Sequence, residues 1–131
     1  MNSMVEKLIE RARKYPPDEH KQQVALFAWA STRPELRWMH AIPNGEIRHI
    51  QAAKRLKQEG VKAGVSDVFL PLARHGYFGL YIEMKGVNGR PSKLQKEFLA
   101  HCDDEGYDTV VCSSFDEARD RIEQYLEVED G

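Results

Sequence analysis

Two charged residues lie within an otherwise apolar run of the chain, residues 78–85. Successive side chains of a β-strand point to opposite faces, so Glu83 and Lys85 would share one face while Ile82 and Met84 occupy the other. A hydrophobic core accounts for the apolar face. It does not account for an acid beside a lysine, because burying charges is costly unless they are paired or bind a metal. Glu83 and Lys85 are therefore the first candidates for chemistry.

A second carboxylate is predicted to reach Glu83. Residues 67–72 have the composition of a strand, and the segment 74–77 is short enough to turn it back as a hairpin. Two carboxylates held close together repel each other, and a hard divalent cation with oxygen ligands relieves that repulsion. The pattern predicts Asp67 and Glu83 as metal ligands. Lys85 beside them would orient a water molecule and neutralise charge that builds on a phosphate.

The elements that must position these residues follow the order ααβαββαβα, since capping residues, prolines and glycines divide the chain at regular intervals. The strands at 78–85 and 109–112 are separated by a helix, which predicts a right-handed crossover between parallel strands. The fold class is therefore α/β, a mixed sheet flanked by helices. Helices are predicted at residues 5–15, 19–31, 92–105, between Gly45 and Gly60, and after Ser114; strands are predicted at 38–42, 67–72, 78–85 and 109–112.

Length and composition are those of one globular domain. The chain has 131 residues, of which 41% are hydrophobic and 31% charged. We assign residues 1–131 to a single domain, with an N-terminal helix at 1–15 and the core at 18–126. No apolar run approaches the ~18 residues that span a bilayer, and the first residues lack a secretion signal, so we expect a cytoplasmic protein without a membrane partner. Cys102 and Cys112 fit no metal or disulfide pattern and are predicted as buried thiols.

The charge is unevenly distributed, although the net value is only -2. Residues 47–96 contain ten lysines and arginines against three acids, whereas the rest of the chain contains nine against eighteen. The middle of the chain can therefore present a cationic surface to phosphates, and the alternative is a set of solvated helix faces. The candidate nucleic-acid contacts are Asn44, Arg48, Lys54, Arg55, Lys62, Arg90, Lys93 and Lys96.

Five short motifs follow one another over most of the chain: Glu19-His-Lys-Gln-Gln23, Pro43-Asn44-Gly45, Gly64-Val65-Ser66-Asp67, Glu83-x-Lys85 and Ser92-x-x-Gln95. Each is weak alone, because a spacing such as Glu-x-Lys occurs by chance in most proteins. All five in this order are specific. Together they resemble the VRR-NUC branch of the PD-(D/E)XK nuclease superfamily.

The resemblance implies an αβββαβ core like that of restriction endonucleases, here with an extra N-terminal helix. It also implies phosphodiester hydrolysis with Mg²⁺ or Mn²⁺. Stand-alone VRR-NUC proteins of this size are phage and bacterial enzymes that resemble Holliday junction resolvases and act as homodimers. The expected activity is thus a metal-dependent, structure-selective DNA endonuclease, and the expected partners are branched or junction DNA and a second copy of the chain.

Site residues carry over from the family by position. The implied metal ligands are Asp67, Glu83, the main-chain carbonyl of Met84 and Glu19, which completes the acidic cluster from its helix. Lys85 is the implied catalytic lysine, and Gln95 is implied to support the site. The sequence departs from the family at Ser66, where the usual residue is proline, and this change is expected to loosen the turn without affecting the ligands.

Several of these residues also have a simpler structural explanation. Glu83 and Lys85 could form an ion pair on an exposed sheet face. An acid such as Glu19 is favoured in the first turn of any helix, and Ser92 with Gln95 is a capping box. Trp29 and Trp38 are interpreted as residues of the hydrophobic core rather than as stacking platforms for bases.

Two other functions are compatible with the sequence. One is a nicking or restriction-like nuclease that acts on linear duplex. The other is a non-catalytic nucleic-acid-binding module that retains the nuclease fold as a scaffold. All the catalytic residue types are present, whereas a site that has lost its activity would be expected to lack at least one.

Overall fold

The computed structural model describes residues 3–43 and 50–127. The helices are α1 (Ser3–Lys14), α2 (Glu19–Ala30), α3 (Ile50–Gln58), α4 (Lys93–Asp104) and α5 (Phe115–Leu126), with one 3-10 turn at Pro34–Leu36. The strands are β1 (His40–Ala41), β2 (Val68–Leu70), β3 (Leu80–Met84) and β4 (Asp108–Cys112). The predicted order and the α/β class are confirmed. None of the described helices has the length and apolarity needed to cross a membrane.

The four strands form one mixed sheet in the order β1-β2-β3-β4. β1 and β2 are antiparallel, β2 and β3 are antiparallel, and β3 and β4 are parallel, which confirms the predicted hairpin and crossover. Val68 pairs with Ile82 in the hairpin, so the preceding residue, Asp67, lies next to Glu83. The register of the hairpin therefore brings the two predicted ligands together at one end of the sheet.

The hairpin depends on a tight turn at residues 74–77. His75 and Gly76 both have positive φ, 53° and 82°, as the two central residues of a type I′ turn require. Arg74 and Tyr77 exchange main-chain hydrogen bonds of 3.3 and 2.8 Å across it. The twist of such a turn matches that of the strands, so β3 returns antiparallel to β2, although the pairing shifts by one residue between Arg74–Tyr77 and Leu70–Leu80.

Two predictions for the segment around β1 are corrected. Strand β1 is much shorter than the predicted strand at 38–42. The assignment of Trp38 to the core is wrong. Trp38 is 70% exposed, whereas Trp29 is buried as expected. The 3-10 turn places Leu36 and Met39 in the core instead. Trp38 is left on the surface, where the guanidinium of Arg37 lies 5.1 Å from its ring centroid.

Side-chain caps begin three of the helices, as their sequences predict. Asp18 accepts a hydrogen bond from the main-chain N–H of Lys21, and Ser92 forms a complete capping box with Gln95. Ser114 accepts from the N–H of Glu117, but the reciprocal half of that predicted box is not formed. The Glu117 carboxylate instead accepts a hydrogen bond from the hydroxyl of Ser113.

The two faces of the sheet bury different kinds of side chain. Leu80, Ile82 and Met84 of β3 join one apolar cluster with residues of α1, α2 and α5. On the opposite face, an aromatic layer packs around Tyr81 and continues towards α4; its members are Phe69, Tyr81, Phe98 and Tyr107. Both cysteines are buried and free, as predicted. The alternation predicted for β3 therefore holds, and the face that carries Glu83 is also enclosed.

Gln22 is a buried polar residue that joins three helices, a role the sequence did not reveal. Its side-chain amide donates to the carbonyls of Ala12 and Tyr15 at the end of α1, at 2.8 and 3.3 Å. Its carbonyl oxygen accepts from the N–H of Phe115 at the start of α5, at 2.8 Å. The two carbonyls also accept main-chain hydrogen bonds, from the N–H groups of Tyr15 and Asp18, whereas the N–H of Phe115 at the start of α5 depends on Gln22.

Replacing Gln22 with leucine, which has a similar volume, should destabilise the protein by about 2 kcal/mol, because the buried N–H of Phe115 loses its partner and two carbonyls each lose one hydrogen bond. The free energy of unfolding from urea titration measures this change. The matched control is Gln124→Leu, an exposed glutamine on α5, for which the change should stay within about 0.5 kcal/mol. Equal stability of the two variants would show that Gln22 does not join the helices.

Candidate active site

Asp67 and Glu83 meet at the end of the β2–β3 hairpin. The Oδ2 atom of Asp67 accepts a hydrogen bond of 2.9 Å from the main-chain N–H of Met84, which fixes the carboxyl group against β3. Glu83 is only 1% exposed. A carboxyl group this deeply buried needs compensation from its surroundings.

Gln95 supplies part of that compensation. Its side-chain N–H donates to Glu83 Oε1 at 3.0 Å, while its own carbonyl oxygen accepts from the N–H of Ser92 at 2.7 Å. One amide therefore caps α4 and holds Glu83, so the structural and the functional interpretations of Gln95 are compatible. Lys85 Nζ lies 3.7 Å from Glu83 Oε1, and its side chain is 15% exposed. The pair is enclosed and does not lie on an open sheet face.

The first turn of α4 also contacts the segment that leads into Asp67. A Cβ atom on Gly64 would stand 2.6 Å from Leu94 Cγ, and Gly64 has a φ of +91°. Both facts require glycine at this position. The next buried polar group is Ser66, whose hydroxyl has no hydrogen-bond partner among the described residues. The hydroxyl that replaces the usual proline is thus enclosed.

The pKa of Glu83 is raised from 4.5 to about 8. Burial is the largest cause, followed by the negative charge of Asp67 and a hydrogen bond with its carboxyl group; Lys85 lowers the pKa and Glu19 raises it slightly. The two carboxyl groups are thus close enough to share a proton. When Glu83 is ionised, its Oε2 atom is buried without a hydrogen-bond partner among residues 3–43 and 50–127.

These properties fit a divalent cation. A buried carboxylate oxygen without a partner, next to a second carboxylate, is a donor set of the kind that hard cations prefer. Among the described residues, two acids converge here. Within the described part of the chain, no group of three or more His, Cys, Asp or Glu side chains is close enough to share one ion. Asp67 and Glu83 therefore form the centre of the candidate site.

Glu19 lies near this centre, but the structure does not bring it into the acidic pair. It is the first residue of α2 and is exposed. The Oε1 atom of Glu19 lies close to Gly89, because a Cβ atom added to that glycine would be 3.3 Å away from it. The same added atom would be 3.2 Å from the Cβ of Lys85, so Glu19 and Lys85 approach Gly89 together. The role of Glu19 as a ligand remains a prediction.

Gly86 sets the position of Glu19, a role that none of the sequence motifs indicates. A Cβ on Gly86 would stand 2.3 Å from the carbonyl oxygen of Pro17, which is closer than any real contact. The main chain before α2 therefore packs directly on the end of β3. A glycine immediately after a strand that carries candidate ligands is the signal that could have indicated this close approach.

The other predicted contacts surround the acidic pair less closely. The side chain of Met84 lies in the core, and its carbonyl remains only a predicted ligand. Asn44 and Arg48 lie outside the described residues. The remaining predicted phosphate contacts are exposed, and none takes part in an ion pair within the described ranges; they are Lys54, Arg55, Lys62, Arg90, Lys93 and Lys96.

The raised pKa of Glu83 predicts a pH dependence of stability. Between pH 4.5 and about 8 the folded protein keeps the proton that the unfolded chain releases, so the stability from this group falls as pH rises. Glu83→Gln should remove this loss and become more stable than wild type by at most about 1.4 kcal/mol per pH unit. Urea unfolding in EDTA across this range measures the difference. Glu97→Gln, an exposed acid on α4, should follow wild type; parallel curves for all three proteins would refute the shift.

Gly86→Ala should force α2 away from the end of β3, because the new methyl group meets the main chain of Pro17 rather than a movable side chain. We expect a loss of about 2 kcal/mol or more in the free energy of unfolding, as for other overpacked sites. Asn88→Ala, on the same loop but exposed, is the control. If Gly86→Ala is as stable as Asn88→Ala, the close approach does not hold the two elements together.

Comparison with known protein families matches the family model described as VRR-NUC domain to residues 4–116 of this chain. A solved structure titled VRR_NUC domain protein is 31% identical in sequence, with a TM-score of 0.73, over 86% of this chain and 90% of that chain. A search of curated proteins found no match. The resemblance seen in the five motifs is thereby confirmed. Because the family model extends over most of the chain, this protein belongs to the VRR-NUC family of nuclease domains, in the PD-(D/E)XK superfamily.

Proposed function

We propose that this protein is a DNA endonuclease that depends on Mg²⁺ or Mn²⁺ and hydrolyses phosphodiester bonds. The observation that carries the proposal is the pair of Asp67 and the almost fully buried Glu83, one of whose oxygens has no hydrogen-bond partner among the described residues. A cation bound there would supply positive charge at the scissile phosphate and make a water molecule easier to deprotonate. Family membership supports hydrolysis as the reaction.

The residues around the pair have separate tasks in this proposal. Gln95 holds Glu83 through Oε1, which leaves Oε2 available to a ligand. The N–H of Met84 holds the Oδ2 atom of Asp67, so this carboxyl group is already fixed against β3 before a ligand binds. Lys85 would orient the attacking water and neutralise charge that builds on the phosphate. Glu19 and the carbonyl of Met84 are proposed as additional ligands.

The proposed substrate is branched DNA, and the proposed assembly is a homodimer. Exposed cations without ion-pair partners line α3, the following loop and the first part of α4, and such groups bind the DNA backbone without reading its bases. Selectivity would then come from the shape of the DNA and from the spacing of two sites in a dimer.

Glu83→Ala and Asp67→Asn should each reduce cleavage at least about a hundredfold, because each removes a group that the transition state requires. The measurement is single-turnover cleavage of labelled DNA with Mg²⁺ or Mn²⁺, with EDTA as the metal-free reference. Asp103→Asn, an exposed acid on α4, is the matched control and should cleave like wild type. Circular dichroism and thermal unfolding confirm that the variants are folded. Full activity of folded Glu83→Ala would disprove the site assignment.

A panel of substrates tests the selectivity. The same assay with a four-way junction, a flap, a linear duplex and a single strand should show the fastest cleavage of branched DNA, while light scattering should report a dimer. Preferred cleavage or nicking of the linear duplex would favour a restriction-like enzyme. Binding without cleavage of any substrate in either metal would favour a non-catalytic module.

A further inference from the structure

Helix α1 separates its charges onto different sides. Lys7, Arg11 and Lys14 recur at spacings of four and three residues, which aligns them along one side of the helix. Arg13 lies on another side, where it forms an ion pair of 2.8 Å with Asp116 of α5. None of the ion pairs in the described ranges involves Lys7, Arg11 or Lys14. Like charges at these spacings repel one another, while the helix dipole favours Arg11 and Lys14 in the last turn of α1.

The basic side of α1 adjoins the first turn of α2. Arg11 lines an open groove between the two helices, together with His20 and Lys21 of α2 and the apolar Leu8 and Val24. Basic side chains from both helices therefore share one surface. Acidic residues of α1 do not neutralise it: Glu10 is four residues from Lys14 but forms no ion pair with it within the described chain.

An exposed tyrosine lies where the two helices meet. Tyr15 is 48% exposed, and the ammonium groups of Lys14 and Lys21 lie 5.8 and 5.2 Å from the centroid of its ring. Cation–π attraction keeps both lysines beside the ring. Asp18 neutralises only Lys21, at 2.7 Å. We call this group the α1–α2 corner; it consists of Arg11, Lys14, Tyr15, His20 and Lys21.

The α1–α2 corner adjoins the candidate active site. Pro17, between Tyr15 and α2, packs directly on Gly86 at the end of β3. Glu19, whose carboxylate lies beside Gly89, belongs to the same helical turn as His20 and Lys21. A helical turn rises about 5.4 Å, so His20 and Lys21 of the corner lie within one turn of Glu19 along α2.

We propose that the α1–α2 corner binds the phosphodiester backbone of the nucleic-acid substrate, on the α2 side of the active site. Arg11 and Lys14 form no ion pair within the described residues, and such cationic groups bind phosphates, while the exposed ring of Tyr15 provides a face on which a base can stack. The inference rests on the proposed nuclease function. It gives the extra N-terminal helix a task in substrate binding in addition to its packing against α2 and α5.

The test compares two pairs of charge-neutralising substitutions in a Glu83→Gln background, which prevents cleavage. Arg11→Gln with Lys14→Gln changes the corner. Arg37→Gln with Arg74→Gln removes the same charge at the opposite end of the sheet. Fluorescence anisotropy with labelled four-way junction and linear duplex DNA gives the dissociation constants between about 50 and 200 mM salt. Urea unfolding confirms that all the proteins are folded.

For the corner variant we expect weaker binding and a log–log salt dependence whose slope is smaller in magnitude by about 1.8, since each lost phosphate contact accounts for about 0.9. The slope of the control variant should equal that of the Glu83→Gln parent. An unchanged slope in the corner variant, or an equal change in the control, would overturn the inference while the nuclease proposal stands. If the parent binds neither DNA and wild type cleaves neither, both proposals fail.

Discussion

Burial of Glu83 beside Asp67 is the constraint on which the rest of the site depends. A carboxylate that is 1% exposed and next to a second carboxylate cannot remain ionised without a compensating charge. The chain provides partial compensation through Gln95 and Lys85, and the pKa of Glu83 still rises to about 8. A proton or a cation would compensate the negative charge of the two carboxylates. Because the pair needs such a partner, it is the candidate ligand site.

The surrounding elements pack so that this arrangement is maintained. α4 contributes through its first turn, where Gln95 caps the helix and holds Glu83 while Leu94 packs on Gly64 ahead of Asp67. α2 contributes through the contact between Pro17 and Gly86. Gly64 thus leaves room for the side chain of Leu94, and Gly86 leaves room for the main chain of Pro17. A larger residue at either position would push the neighbouring helix away from the site.

The distribution of ion pairs gives the surface its polarity. On the helical layer, cations such as Arg13, Arg33 and Arg121 are paired with carboxylates. The exposed cations of α3, α4 and the basic side of α1 form no such ion pairs within the described ranges. The net charge of -2 is therefore a sum over two kinds of surface. On one, the cations are neutralised by carboxylates, and on the other they are available to phosphates.

Local patterns in the sequence were sufficient for the order of the elements, the caps at Asp18 and Ser92 and the alternation along β3, because each depends on residues close together in the chain. The hairpin signal at 74–77 also placed Asp67 beside Glu83. Only the tertiary structure decided that Glu83 is buried, that Gln22 joins three helices, that Gly86 receives Pro17 and that Trp38 is exposed. These features depend on contacts between segments that are distant in the chain, and no local spacing encodes which segments will pack together.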